Sequence, residues 1–284
     1  AAGQLKTDLK VPVVMNFLDH LTGFMETWPN WRMPRFLLKR LMKYELCLPS
    51  LYKADTVLTV SQELRKRFIA NGYDASRTFS INYGYDKNLF KPQKLNPNSP
   101  PTVVMHGSFD THHLGEIATK AIYLITKKRP DVHFLFIGKE TIALKKLTKK
   151  IKKLSPSTNI TCTGFIDYKR IPEKLSYGHV GIIPYEESAG AHCAFVAKMV
   201  EYAAVGLPVV STPLAGTKKF FSNEPTILFS KFDGKKFSED TLITLNSTLN
   251  LKTTDSLTKR VETELDWNVI CDNIVNKLEA AHTC

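Results

Sequence analysis

Long apolar runs are missing from this 284-residue chain: nothing in it approaches the ~20 consecutive apolar residues needed to cross a bilayer. The opening residues, AAGQLKTDLK, lack the apolar core of a secretion signal, so a cytoplasmic protein is expected. Paired cysteines are missing too. Cys47, Cys162, Cys193, Cys271 and Cys284 are odd in number, widely spaced and without metal-ligand or redox spacing, so reduced thiols are expected rather than disulfides or a metal. No nucleic-acid motif is present, and basic residues are not interleaved with stacking aromatics, which sets nucleic acid aside as a partner. Compositional extremes are also lacking. Hydrophobic residues at 43% and charged residues at 23% are ordinary globular usage and exclude a disordered or fibrous chain.

What the chain does have is a basic excess of +12. Its densest cluster is KKLTKKIKKL (Lys145 to Leu154), where Leu144, Leu147, Ile151 and Leu154 recur at helical spacing and leave the lysines on the opposite side. Such a helix either covers a sheet with a solvated basic face or meets acidic lipid headgroups. MPRFLLKRLMK (Met33 to Lys43) is a second basic, apolar stretch able to do the latter.

At roughly 150 residues per domain, the length predicts about two domains. Strand-like runs at Val11 to Phe17, Thr56 to Val60 and Thr78 to Asn82 open the chain, and Ser61 is placed to cap the helix after the second. KPQKLNPNSPP (residues 91–101) has four prolines in eleven residues and reads as a linker. Beyond it, TVVMHG, DVHFLFIG, NITCTG, VGIIPY and PVVST repeat the strand theme. Helical stretches lie between them at Glu116 to Lys128, Ile142 to Leu154, Arg170 to Tyr177 and Ala194 to Ala204, as in a doubly wound parallel sheet. From Asp266, a helix cap, the tail carries Trp267, Cys271, Ile274 and Leu278 at helical spacing. The expected division is 1–90, a partial Rossmann-like domain; 91–101, the linker; 102–265, a full Rossmann-like domain; and 266–284, a terminal helix.

The stretch AKMVEYAAVGLPVVST, around Lys198 to Thr212, joins a short helix to a Gly-Leu-Pro turn and a buried strand. Open α/β sheets bind charged ligands at such junctions, where helix N-termini offer unpaired N–H groups. Lys198 and Glu201, three residues apart, share one face of this helix. The lysine is suited to neutralising a diphosphate or to pairing with the glutamate. The glutamate is suited either to accepting two hydroxyl hydrogen bonds or to a surface salt bridge.

In ordered motifs over nearly its whole length, the chain resembles the glycosyltransferases of GT-B fold, family four, which are usually retaining and use nucleotide sugars. ADTVLTVSQELRKRF (Ala54 to Phe68) and INYGYDKNLFKP (Ile81 to Pro92) are similar to two family segments, and VVMHGSFD stands where a Gly-Arg phosphate loop is usual. RPDVHFLFIG, NITCTGFID and the Lys-x-x-Glu-Tyr motif of Lys198, Glu201 and Tyr202 follow in family order. The resemblance implies an α/β architecture of two Rossmann-like domains, the N-terminal one incomplete and the C-terminal one full, with no cofactor and a nucleotide diphosphate sugar as co-substrate. It implies a ribose contact for Glu201 and diphosphate neutralisation for Lys198. Gly107, Gly138, Gly164 and Phe165 would shape the nucleotide pocket. Backbone N–H groups from Ala191, His192, Cys193 and Ala194 would meet phosphate or donor sugar, and Asp19 and His20 would form a pair near the reaction centre. Ser108 replaces the usual arginine, His113 stands near the expected lysine, and Cys193 replaces the first glutamate of a Glu-x7-Glu pattern. That leaves Lys198, His112 or His113 to stabilise the leaving diphosphate without a metal.

The expectation is transfer of a sugar from a nucleotide diphosphate donor to a glycan or lipid-linked acceptor, retaining and metal-independent, with possible contact with a membrane surface. The alternatives are a non-catalytic nucleotide-sugar binder, a subunit of a split enzyme whose partner supplies the missing N-terminal portion, and, ranked last, a sugar-nucleotide epimerase.

Overall fold

A computed structural model describes residues 2–92, 100–248 and 255–282. Residues 93–99 of the expected linker, and Cys284, lie outside the described residues. The first part of the chain is a parallel sheet of order β1-β2-β3, made of β1 (Val14–Phe17), β2 (Thr56–Thr59) and β3 (Thr78–Ser80). Its helices are α1 (Ala2–Leu9), α2 (Leu21–Phe24), α3 (Arg35–Leu51) and α4 (Gln62–Ala70). Ser61 caps α4 by accepting from the Leu64 N–H at 3.1 Å, satisfying one of the helix's orphan donors.

The larger sheet comprises β4 (Thr102–His106), β5 (His133–Ile137), β6 (Asn159–Cys162), β7 (Val180–Ile183), β8 (Val209–Ser211) and β9 (Ile227–Phe229). All six are parallel, in the order β6-β5-β4-β7-β8-β9. β4 and β7 are buried along their whole length, as strands covered on both faces must be. Around them run α5 (Glu116–Lys128), α6 (Ile142–Leu154), α7 (Ile171–Leu175), α8 (Ala189–Cys193), α9 (Ala197–Ala204), α10 (Ala215–Phe221), α11 (Gly234–Thr248), α12 (Asp255–Leu265) and α13 (Trp267–His282). The strand order reverses between β4 and β7, and such a switch point opens a crevice at the carboxyl ends of the strands.

Helix α6 turns Leu144, Leu147 and Ile151 into the core, but Leu154 at its last turn is half exposed. The tail returns to the first part of the chain: Tyr85 N–H donates to Leu265 C=O at 3.0 Å and Trp267 N–H to Tyr85 C=O at 3.1 Å. Asp266 caps α13 by accepting from the Asn268 N–H at 3.0 Å.

Candidate active site

Three pieces of chain converge at the switch point: the loop after β4, the turn after β7 and the start of α9. With the Asp19 to Phe24 segment beside the smaller sheet they enclose a cleft of about 330 Å³, lined by Asp19, Ser108, His113, Tyr185, Ala197 and Lys198 among others. The approach of α9 is set upstream. The single helix expected from Ala194 to Ala204 is broken, because residues 194–196 are extended between α8 and α9. Ser61 Oγ donates to Cys193 C=O at 2.5 Å, Thr217 Oγ1 donates to Ala194 C=O at 3.1 Å, and Val196 N–H donates to Thr217 Oγ1 at 3.0 Å. Backbone groups drawn into such tertiary bonds are unavailable to a continuous helix. Helix α9 therefore starts afresh with no side-chain cap, and among the described residues the Ala197 and Lys198 N–H groups have no partner.

Lys198 is 8% exposed, and its Nζ donates to the Tyr185 hydroxyl at 3.1 Å, so it forms no direct pair with Glu201. Gly107, at φ +102°, makes room for it. A Cβ at that position would lie 2.7 Å from Lys198 Cε and 2.9 Å from Nζ. Burial lowers the Lys198 pKa to about 8 against the opposing pull of Glu201, Asp110 and Asp19. On the opposite side, burial raises the Asp19 carboxyl to about 6, with the Lys198 charge working against that rise.

Glu201 is 6% exposed, with both oxygens engaged. Oε1 accepts from the Tyr168 hydroxyl at 2.5 Å, and Oε2 meets His106 Nε2. Burial pushes this carboxyl up, but His106, Tyr168 and Lys198 together outweigh it and hold it below the ordinary range. Neither His106 nor Tyr168 was singled out in the sequence. The trace they left is position alone, since His106 closes the strand before Gly107 and Tyr168 follows the Thr-Gly turn.

Several expected placements are corrected. Asp19 and His20 do not pair: the buried His20 ring directs Nδ1 to Glu45 Oε2 at 3.0 Å, and Glu45 also accepts from the Leu21 and Thr22 N–H groups at 2.9 Å. The N–H groups of the 191–194 segment are largely committed inside the protein. Ala191 donates to Ser188 Oγ, His192 to Ser188 C=O and Ala194 to Gly190 C=O, while Cys193 is a buried thiol whose pKa burial raises to about 11. His192 turns toward Ala215 and Phe232, away from the cleft. His112 and His113 are held toward the uncharged form in the cleft. Burial first, with the Lys198 charge acting the same way, lowers His112 to about 4 and drives His113 further down. Gly138 and Gly164, at φ +139° and +72°, bridge one another, Gly138 packs against the Gly107 carbonyl, and Phe165 is 84% exposed.

Two parallel α/β sheets with a charged crevice at the switch point of the larger one define the GT-B class of architecture. HepE of Anabaena, solved with UDP and glucose, superimposes with a TM-score of 0.73 at 16% identity, covering 98% of this chain and 74% of its own. Sucrose-phosphate synthase of Thermosynechococcus elongatus gives 0.75 at 16% identity, covering 98% and 72%. The chain belongs to the family described as glycosyl transferases group 1, whose model matches residues 100–247, just over half of its length. TuaH of Bacillus subtilis strain 168, which carries a provisional assignment as a teichuronic acid biosynthesis glycosyltransferase, is 26% identical over 175 residues, 59% of this chain. That match spans only 42% of TuaH.

Proposed function

We propose that the chain binds a nucleotide diphosphate sugar in the switch-point cleft and transfers the sugar to a glycan or lipid-linked acceptor. The observation that carries this reading is the pairing of a buried ammonium with a helix start whose first amides are unpartnered. Lys198 Nζ and the α9 N-terminus face one crevice, and together they suit a leaving diphosphate. Protein charges suffice for that departure in this reading, and retention of configuration is carried over from the family resemblance. Residues 102–265 hold the donor and residues 1–90 face the acceptor. Asp19, ionised above about pH 6, orients or deprotonates the acceptor hydroxyl.

Glu201 takes the ribose hydroxyls once Tyr168, the more exposed of its two partners, swings aside. The acceptor class is supported by the assignment of TuaH and by surface chemistry. Trp31 and Phe36 are 85% and 69% exposed beside the basic residues of α3, an arrangement that suits an anionic membrane face. No helix among the described residues is long and apolar enough to cross a membrane.

The test is calorimetry of wild type and Glu201→Ala with a panel of nucleoside diphosphates, followed by turnover with the matching sugar. Binding weakened by the substitution supports the ribose contact, and equal affinities remove it. Cys193 in place of a carboxylate favours the second reading, a non-catalytic donor-binding subunit. Tight donor binding without turnover would establish it.

A further inference from the structure

We propose that a second cavity, continuous with the cleft, binds an acidic saccharide as acceptor, its ring faces on an apolar wall and a carboxylate on Arg32. The cavity has a volume of about 880 Å³, against 330 Å³ for the cleft. Leu21, Phe24, Met25, Trp28 and Ile142 form its apolar side. Leu21, Phe24, Asp110 and His112 line both spaces, so one ligand can reach from one into the other. Small-ligand sites of roughly 300–1,000 Å³ have this composition, mostly apolar with a few placed polar groups.

Charge selects the ligand. Arg32, Lys139 and Lys146 line the cavity, and among the described residues none of them forms an ion pair. Lys145 and Lys150, which flank Lys146 along α6, are by contrast paired with Glu140 at 3.5 Å and Glu116 at 2.8 Å. Of the two acids in the cavity, Glu140 is held by Lys145, and Asp110 lies close enough to Lys198 to act on its charge. The uncompensated charge is therefore positive, and its complement is an anion. The Arg32 guanidinium lies 4.1 Å over the Trp28 ring. Stacking fixes its plane and leaves the edge donors to meet a carboxylate with two parallel hydrogen bonds.

Leu21 and Ile142, 66% and 75% exposed, offer apolar surface for the C–H faces of sugar rings to cover. A lipid tail in the same space would strip water from three cations without pairing them, at a cost that a carboxylate avoids. This inference rests on the reading of the cleft as the transfer site. Asp19 serves the acceptor hydroxyl there, and the cavity holds the part of the acceptor that leads away from it.

Tetragalacturonate, a hyaluronan tetrasaccharide and the methyl ester of each are titrated calorimetrically, with and without UDP, into wild type, Arg32→Gln and Arg32→Lys. At least one acid should bind saturably, its ester about tenfold or more weaker, with a similar loss in Arg32→Gln. Arg32→Lys should fall between, since it keeps the charge without the fork. UDP alone should bind wild type and Arg32→Gln equally, because Arg32 lies outside the cleft. The proposal is overturned if neither acid gives saturable heat, if the ester binds as well as its acid, or if Arg32→Gln binds the acid as wild type does. Detergent-dispersed polyprenyl phosphate that binds where neither acid does would assign the cavity to a lipid tail instead. A failure of UDP to bind wild type bears on the reading of the cleft, and the comparison of acid with ester in the absence of UDP still decides this one.

Discussion

Replacing Lys198 by methionine keeps an unbranched apolar stem and removes the charge, and the structure predicts opposite consequences for stability and binding. The lysine pKa falls from 10.5 to about 8 because its ammonium is buried. The folded protein therefore holds this proton less tightly than the unfolded chain. Below pH 8 both states are protonated and the folded state bears the whole penalty. Between 8 and 10.5 the folded state releases its proton first, and stability rises with pH. At about 1.4 kcal/mol per tenfold, the penalty is roughly 3 kcal/mol at pH 7. Loss of the bond to Tyr185 takes back about 1 kcal/mol. Lys198→Met should thus be more stable than wild type at pH 7 by about 2 kcal/mol, and the advantage should shrink toward pH 10. UDP affinity should fall about 10- to 100-fold, the equivalent of a charged hydrogen bond of roughly 1.5–3 kcal/mol. Denaturant unfolding at pH 7 and 10, with UDP calorimetry at pH 7, measures both. A variant less stable than wild type at pH 7, or one that binds UDP equally well, would refute the reasoning.

The same cleft predicts a bell-shaped kcat/KM profile, rising through about pH 6 as Asp19 ionises and falling above about 8 as Lys198 loses its proton. Asp19→Asn should remove the acid limb, and a persisting limb would assign it elsewhere. Gly107→Ala combines a backbone at φ +102° with a Cβ 2.7 Å from Lys198 Cε. It should cost about 1–3 kcal/mol in unfolding and weaken UDP binding, and an unchanged Tm would show that the lysine can move aside freely. Tyr168→Phe removes the hydroxyl that occupies Glu201 Oε1. It should lower stability by about 1–2 kcal/mol while leaving UDP binding as tight or tighter, and weaker UDP binding would mean that Tyr168 contacts the ligand itself.

The elements that could be read from the sequence were those whose cause is local. Periodic apolar residues placed Glu116–Lys128 and Ile142–Leu154 to the residue, and Ser61 and Asp266 cap as expected. The break at residues 194–196 was not legible, because Ser61 and Thr217 impose it from 132 and 23 residues away. The surroundings of Glu201 were hidden for the same reason, since His106 and Tyr168 lie 95 and 33 positions distant. Lys198 emerged as a cation beside the cleft, but its partner Tyr185 and the lowered pKa values of His112 and His113 depend on burial, which no spacing reveals. Helix α12 follows residues outside the described set, and its pattern was there to be read: Leu257, Val261 and Leu265 recur at helical spacing and are all buried.

Glu186 sits over the first turn of α5, accepting the Ile117 N–H at 2.8 Å, and Glu26, in the helical turn that follows α2, reaches across to accept the Ala189 N–H at the start of α8 at 2.5 Å. Each carboxylate is a built-in tenant at a positively polarised helix end. Of the helix starts that follow β4 and β7, this leaves α9 vacant. An incoming anion is steered to one address by the two that already refuse it, so Glu26→Gln or Glu186→Gln would be expected to scatter anions across the crevice rather than strengthen their capture.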